Sequence, residues 1–222
     1  MYLSLEQLLR FLAAAFLITV SPGPDVLATL SLGLSRGWRA AVGFGVGCGT
    51  GCLLHTALAV LGVSALLQAS PVAFRVLRLA GAGYLVWIGW GALRSSGVLR
   101  LPDVAASENA GSSDSGQRQA SGGWAWFSRG LLANAVNPKV ALFFLSFLPQ
   151  FVDDRTGGRE QQLALLGVLF TLNAVLVFSL IGFFSGRLGV FLQGHAGLSR
   201  WLDRLTGLLF WALAVRLVFV QG

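Results

Sequence analysis

Two ionisable side chains stand deep inside apolar stretches, Asp25 in "TVSPGPDVLA" (19–28) and Lys139 in "ANAVNPKVAL" (133–142). A charge at the centre of a bilayer costs at least about 2.5–3.5 kcal/mol on insertion scales, so such residues face a cavity or each other and mark a path for substrate or ions. A carboxylate and an ammonium together complement the two ends of a zwitterionic amino acid. Asp25 suits the ammonium. Lys139, with free backbone amides at its own break and the side chains of Asn134 and Asn137, suits the carboxylate. The same two residues would also satisfy each other as a structural salt bridge.

Their settings match. Asp25 follows Pro22, Gly23 and Pro24; Lys139 follows Pro138. Proline removes an amide donor and clashes with the preceding turn, so each motif breaks a helix. Backbone groups freed at membrane depth are tolerated only beside protein or a watery cavity. His55 lies in the middle of another apolar run, where it would relay protons or sit neutral, bonded to a backbone carbonyl. Asn173 is its loose counterpart later in the chain, lining the cavity or joining helices by hydrogen bonding.

The elements that must position these groups are membrane spans. The chain has 222 residues, of which 55% are hydrophobic and 11% charged; soluble domains carry about 25% charged residues. Mean hydropathy is +0.73. Six runs are long enough for the roughly 20 residues that cross a hydrocarbon layer, near 8–32, 40–67, 71–94, 127–150, 162–186 and 201–221. Between the third and fourth lies a Ser-, Gly- and Ala-rich stretch, 95–123, whose composition supports no core and reads as a flexible loop outside the membrane. The chain is one transmembrane domain: repeat one 1–94, the loop 95–123, and repeat two 124–222. Three spans per half is odd, so the second half enters from the opposite face. The expected fold is all-α, six transmembrane helices in an inverted 3+3 repeat, with a Pro-broken first helix in each half.

Net charge is +7. The arginines occupy short gaps between apolar runs, which makes them topology signals rather than a nucleic-acid surface. One side of the membrane collects Arg36, Arg39, Arg94, Arg100, Arg118, Arg129, Arg187, Arg200 and Arg204; the other collects Arg10, Arg75, Arg78, Arg155, Arg159 and Arg216. The richer side is expected to be cytoplasmic, which puts both termini outside. The N-terminal run has no clear small-residue cleavage site, so no cleaved signal is expected.

Cys48 and Cys52 are spaced i, i+4 in one run, which suits small buried helix residues and makes no zinc site. No metal and no cofactor are expected. Gly43, Gly47 and Gly51 share one helix face, and Gly45 and Gly49 a second; such stripes let helix backbones approach closely. They serve contacts within the chain or within a homo-oligomer. Tyr84, Trp87 and Trp90 read as packing or interfacial residues rather than a cation cage.

The stretches "SPGPDVL", "SRGWRAAVGFGVGCGTG", "AGAGYLVWIGWGALR", "GLLANAVNPKVALFFLSFLPQFV" and "RWLDRLTGLLFWALAVRL" resemble the LysE/RhtB family of amino-acid exporters over nearly the whole chain apart from 95–123. The resemblance implies a six-helix protein of the bacterial cytoplasmic membrane. It also implies export of an amino acid or close derivative, driven by proton exchange, with Pro22, Gly23, Pro24, Asp25, Asn137, Pro138 and Lys139 as the motif residues. Some members carry a histidine at the place of His55. Members differ in substrate, and no pocket signature in this sequence selects one.

The leading reading is therefore a secondary exporter with alternating access, in which Asp25 or His55 accepts the proton. Its partners are an amino acid as small-molecule substrate, a proton gradient and the lipid bilayer. A membrane thiol-redox carrier using Cys48 and Cys52 is the alternative, and a non-transporting membrane subunit is another. An enzyme is not expected, since no nucleophile or metal cluster accompanies Asp25, His55 and Lys139.

Overall fold

The computed structural model describes residues 4–63, 70–94, 122–153 and 157–219. All regular structure among them is helical. Helix α1 (Leu5–Val20) opens on a reciprocal cap, in which Gln7 N donates to Ser4 Oγ and Ser4 N donates to Gln7 Oε1. Caps of this kind stabilise a helix start by about 1 kcal/mol. It ends at Ser21. The chain restarts as α2 (Pro24–Arg36), bent 52° from α1. Pro24 occupies the first helical position, where its missing N–H costs nothing and its fixed φ suits the turn. Gly37, at φ 86°, turns the chain into α3 (Trp38–Leu58), which continues through a π turn, Ala59–Val63.

Helix α4 is Pro71–Leu93. The second half then repeats the broken pattern. Helix α5 (Gly123–Ala135) gives way to α6 (Pro138–Leu142), again with proline at the first position. A π turn and a 3-10 turn carry α6 on to Phe151, and the bend is 53°. Helices α7 (Arg159–Gly194) and α8 (Ala196–Phe219) complete the chain.

Among the described residues, Trp38–Gly62 and Arg159–Leu192 are each long and apolar enough to cross a membrane, and each bent pair makes one further span when its two pieces are taken together. The outer surface is apolar. Leu61, Val72, Trp87, Val136 and Phe219 are all more than 60% exposed, a surface suited to lipid and costly in water.

The element limits differ from the sequence expectation chiefly at α7. The fifth run was expected over 162–186, whereas the helix extends to Gly194 and is 36 residues long, about 54 Å at 1.5 Å per residue. Glycine does not by itself end a helix, and the extension is held by packing. In the extension, Gly189 lies against Leu34 of α2 and Leu192 is buried. The second run's last residues, 64–67, the interval 95–121 of the loop and both chain termini lie outside the described residues.

Packing follows small residues. Helix α3 lies against both α5 and α7, α7 lies against α1 and α2, and α4 lies against α8. The two glycine stripes face different partners. Gly43, Gly47 and Gly51 meet α5 at Trp126, Phe127 and Asn134, while Gly45 and Gly49 meet α7 at Phe178 and Val175. Gly89 and Gly207 bring α4 and α8 together in the same way, each facing the other's carbonyl. The stripes thus serve contacts within the chain, where small residues let backbones close up.

Candidate functional site

Both helix breaks meet at one place. At the first, α1 ends with the free carbonyls that every helix C-terminus leaves, and Asp25 enters α2 at its second residue. At the second, Asn137 caps α6 by accepting the Lys139 N–H with its side-chain oxygen at 3.0 Å. Lys139 therefore also sits at the second residue of its helix. That amide is occupied, so it is not among those free to receive a ligand.

The charged groups are bonded across the two halves, not to each other. Lys139 Nζ donates to the Ser21 carbonyl oxygen at 2.9 Å and to Ser21 Oγ at 2.7 Å. An ammonium at the C-terminal end of α1 is favourably placed for the helix dipole. Asp25 Oδ2 accepts from Asn134 Nδ2 at 2.8 Å, and the carboxylate lies at the N-terminal end of α2, also the favourable end. Asn134, expected beside a substrate carboxylate, thus serves Asp25. All four side chains are buried: Ser21 and Asp25 are each 5% exposed, Asn134 0% and Lys139 8%. The Lys139 ammonium also lies 5.5 Å from the Phe210 ring centroid, within range of a cation–π attraction.

His55 stands behind this set. Its Nε2 lies 3.0 Å from the Asn134 carbonyl oxygen; since a carbonyl only accepts, Nε2 carries the proton. Cys52 is also adjacent, with Sγ 3.8 Å from Asn134 Oδ1. Both cysteines are free and buried on α3. Asn173 is more remote and donates to Thr19 Oγ1 at 3.3 Å. Tyr84, Trp87 and Trp90 lie on α4, with Trp90 stacked on Trp211.

Asp25, Asn134, Asn137 and Lys139 share a small pocket with Thr19 and Gly23, lined also by Phe143, Phe170 and Phe178. The space between them is about 20 Å³, enough for about one water and too little for an amino acid. The site is too narrow for substrate in this form. Gly23 belongs to it for a steric reason, since a Cβ there would lie 3.2 Å from Lys139 Nζ. Ser21 and the three phenylalanines escape a reading by charge. Ser21 had one visible signal, a polar residue directly before a break; the phenylalanines had none, because the chain contains 16 of them.

A family model described as LysE type translocator matches residues 15–221. The chain belongs to that family. It is accordingly a translocator rather than an enzyme, and a multi-pass bacterial membrane protein. The translocator is 27% identical over 208 residues to the "Homoserine/homoserine lactone efflux protein" of Salmonella typhimurium, covering 94% of each chain. It is 30% identical over 207 residues to the "Leucine efflux protein" of Enterobacter sp. (strain 638), covering 93% of this chain and 92% of the relative. It is 28% identical over 202 residues to the "Threonine efflux protein" of Salmonella typhi, covering 90% and 91%. No solved structure matches the translocator.

Proposed function

We propose that this translocator exports an amino acid or close derivative across the bacterial cytoplasmic membrane by alternating access, in exchange for protons. The observation that carries the reading is the meeting of two broken helices, bent 52° and 53°, with one buried carboxylate and one buried ammonium at the junction. The efflux relatives support the substrate class. The fold reading that goes with it is six spans in an inverted 3+3 repeat. Its support is an exchange of partners: α3 of the first half packs on α5 of the second, and α7 of the second packs on α1 and α2 of the first.

In the mechanism, Asp25 binds the substrate ammonium and Lys139 the carboxylate. Each charge is at present satisfied by a neutral protein group, Asn134 for Asp25 and Ser21 for Lys139. A zwitterion supplies opposite charges to both at once, and charge-assisted hydrogen bonds are about twice as strong as neutral ones. Substrate therefore displaces the neutral partners, and because those partners lie on the opposite half, their release loosens one half from the other. After the amino acid leaves on the outer face, Asp25 takes the returning proton, and His55 positions the Asn134 carbonyl. The richer arginine side is cytoplasmic and both termini are outside.

The test is efflux from liposomes loaded with a panel of labelled amino acids, with an acid-outside gradient and correction for insertion orientation. Efflux of at least one amino acid that collapses with the gradient is expected. Failure of every amino acid on the panel to leave would sink the reading.

A further inference from the structure

A second hollow is larger than the pocket at the breaks. A cleft of about 760 Å³ runs between the α1–α2 break, the end of α4, the last turns of α7 and the first half of α8. Its walls are apolar, with Leu27, Leu30, Leu188 and Leu202 among them. Two opposite charges line it, Arg94 at the C-terminal cap of α4 and Asp203 on α8. No ion pair joins them. The inner end of the cleft is formed by Ser21, Pro22 and Val26. Val26 also lines the narrow pocket, and Ser21 holds Lys139 through its carbonyl and hydroxyl. Ser21 thus stands in the wall between the two hollows.

The geometry points to the cleft as the vestibule through which the amino acid reaches the narrow pocket at the breaks, with Ser21 as the inner gate. This rests on the exporter reading. The ammonium of Lys139 has three donors, and Ser21 occupies two of its bonds. A carboxylate arriving from the cleft competes for them and wins on charge. Its success frees the end of α1 and opens the pocket, which otherwise holds about one water. Arg94 and Asp203 complement the two ends of a zwitterion in the cleft. Beyond Arg94 and Asp203 the walls are apolar apart from the neutral hydroxyls of Ser21, Ser199 and Thr206, so no ionised group answers a further charge, and burying one without a partner is strongly unfavourable. The vestibule therefore selects amino acids with uncharged side chains over basic ones.

Leu198 lines the cleft and is 38% exposed, so Leu198→Cys places a thiol in it; Cys48 and Cys52 are buried. Trp124, 77% exposed and outside the cleft, gives the control Trp124→Cys. Each reconstituted variant is assayed for efflux of labelled leucine before and after reaction with a bulky water-soluble maleimide, serving as its own reference. The label is expected to attach at Leu198→Cys and abolish efflux, and to leave efflux by Trp124→Cys unchanged. Continued efflux from labelled Leu198→Cys would show that the path lies elsewhere. Absence of label there would show the cleft filled by lipid, which also overturns the vestibule. Ser21→Ala removes one of the two bonds on Lys139 and is expected to lower the KM for leucine, with Ser21→Thr restoring it; an unchanged KM removes Ser21 from the gate. Labelled lysine carried as fast as leucine would overturn the selection for uncharged side chains. Wild-type protein that carries no amino acid fails the exporter reading itself, while the labelling of Leu198→Cys still reports whether the cleft is open to water.

Discussion

Lys139, at the start of one broken helix, holds the end of the other: its Nζ lies 2.9 Å from the Ser21 carbonyl oxygen and 2.7 Å from Ser21 Oγ. The reverse contact exists as well. Asp25, at the start of α2, is held by Asn134 near the end of α5. Each charged residue that opens a helix in one half is therefore secured by a polar residue that closes a helix in the other. The two halves are cross-linked by these hydrogen bonds.

Because Asp25 and Lys139 are not paired with each other, neutralising both should not restore what neutralising one removes. Asp25→Asn and Lys139→Met each remove a charge that a substrate end would bond, and a hydrogen bond to a charged group is worth about 1.5–3 kcal/mol, or about 10- to 100-fold in affinity. Each is expected to lower efflux by that order at matched membrane levels. The double substitution should be no better than the worse single one. Normal efflux by either single variant, measured in proteoliposomes, would exclude the assigned roles.

Asn134→Ala removes the amide donor on Asp25 Oδ2. A buried group stripped of its partner costs about 1–3 kcal/mol, more when charged. A lower thermal midpoint in detergent is expected, together with weaker efflux. Equal stability would mean that another group takes over the carboxylate.

His55 bonds a backbone carbonyl through Nε2, which any donor of similar reach can do. His55→Gln is expected to retain efflux and its dependence on the pH gradient, whereas His55→Phe should lose efflux. Loss of gradient dependence in His55→Gln would assign His55 to the proton path instead.

Glycine at position 47 is a packing requirement, since a Cβ there would overlap the Phe127 carbonyl on α5. Overpacking costs about 1–3 kcal/mol, so Gly47→Ala should lower the melting temperature and the folded yield. Gly83, with nothing within 4 Å of a Cβ, is the contrast: Gly83→Ala should be neutral or slightly stabilising, by up to about 1 kcal/mol from helix propensity alone. Equal melting of the two variants would refute the close approach of α3 and α5.

The sequence alone determined the features that depend on local chemistry. Apolar runs of span length, prolines that stop a helix, and Asp25 and Lys139 set just beyond those stops are all legible in a linear reading. So are the two glycine faces of α3, because helical periodicity assigns residues to faces without reference to neighbours. Tertiary structure decided which neighbours those faces meet and which groups answer the charges. Ser21 and Asn134 lie 118 and 109 residues from the side chains they hold, and no local pattern encodes such a pairing. One partner of Lys139 is a backbone carbonyl, which carries no residue-type signal at all. The length of α7 likewise goes with packing, in which Gly189 lies against Leu34 and Leu192 is buried. A charge inside a span demands a partner because desolvation is costly; which partner it finds depends on how the helices cross.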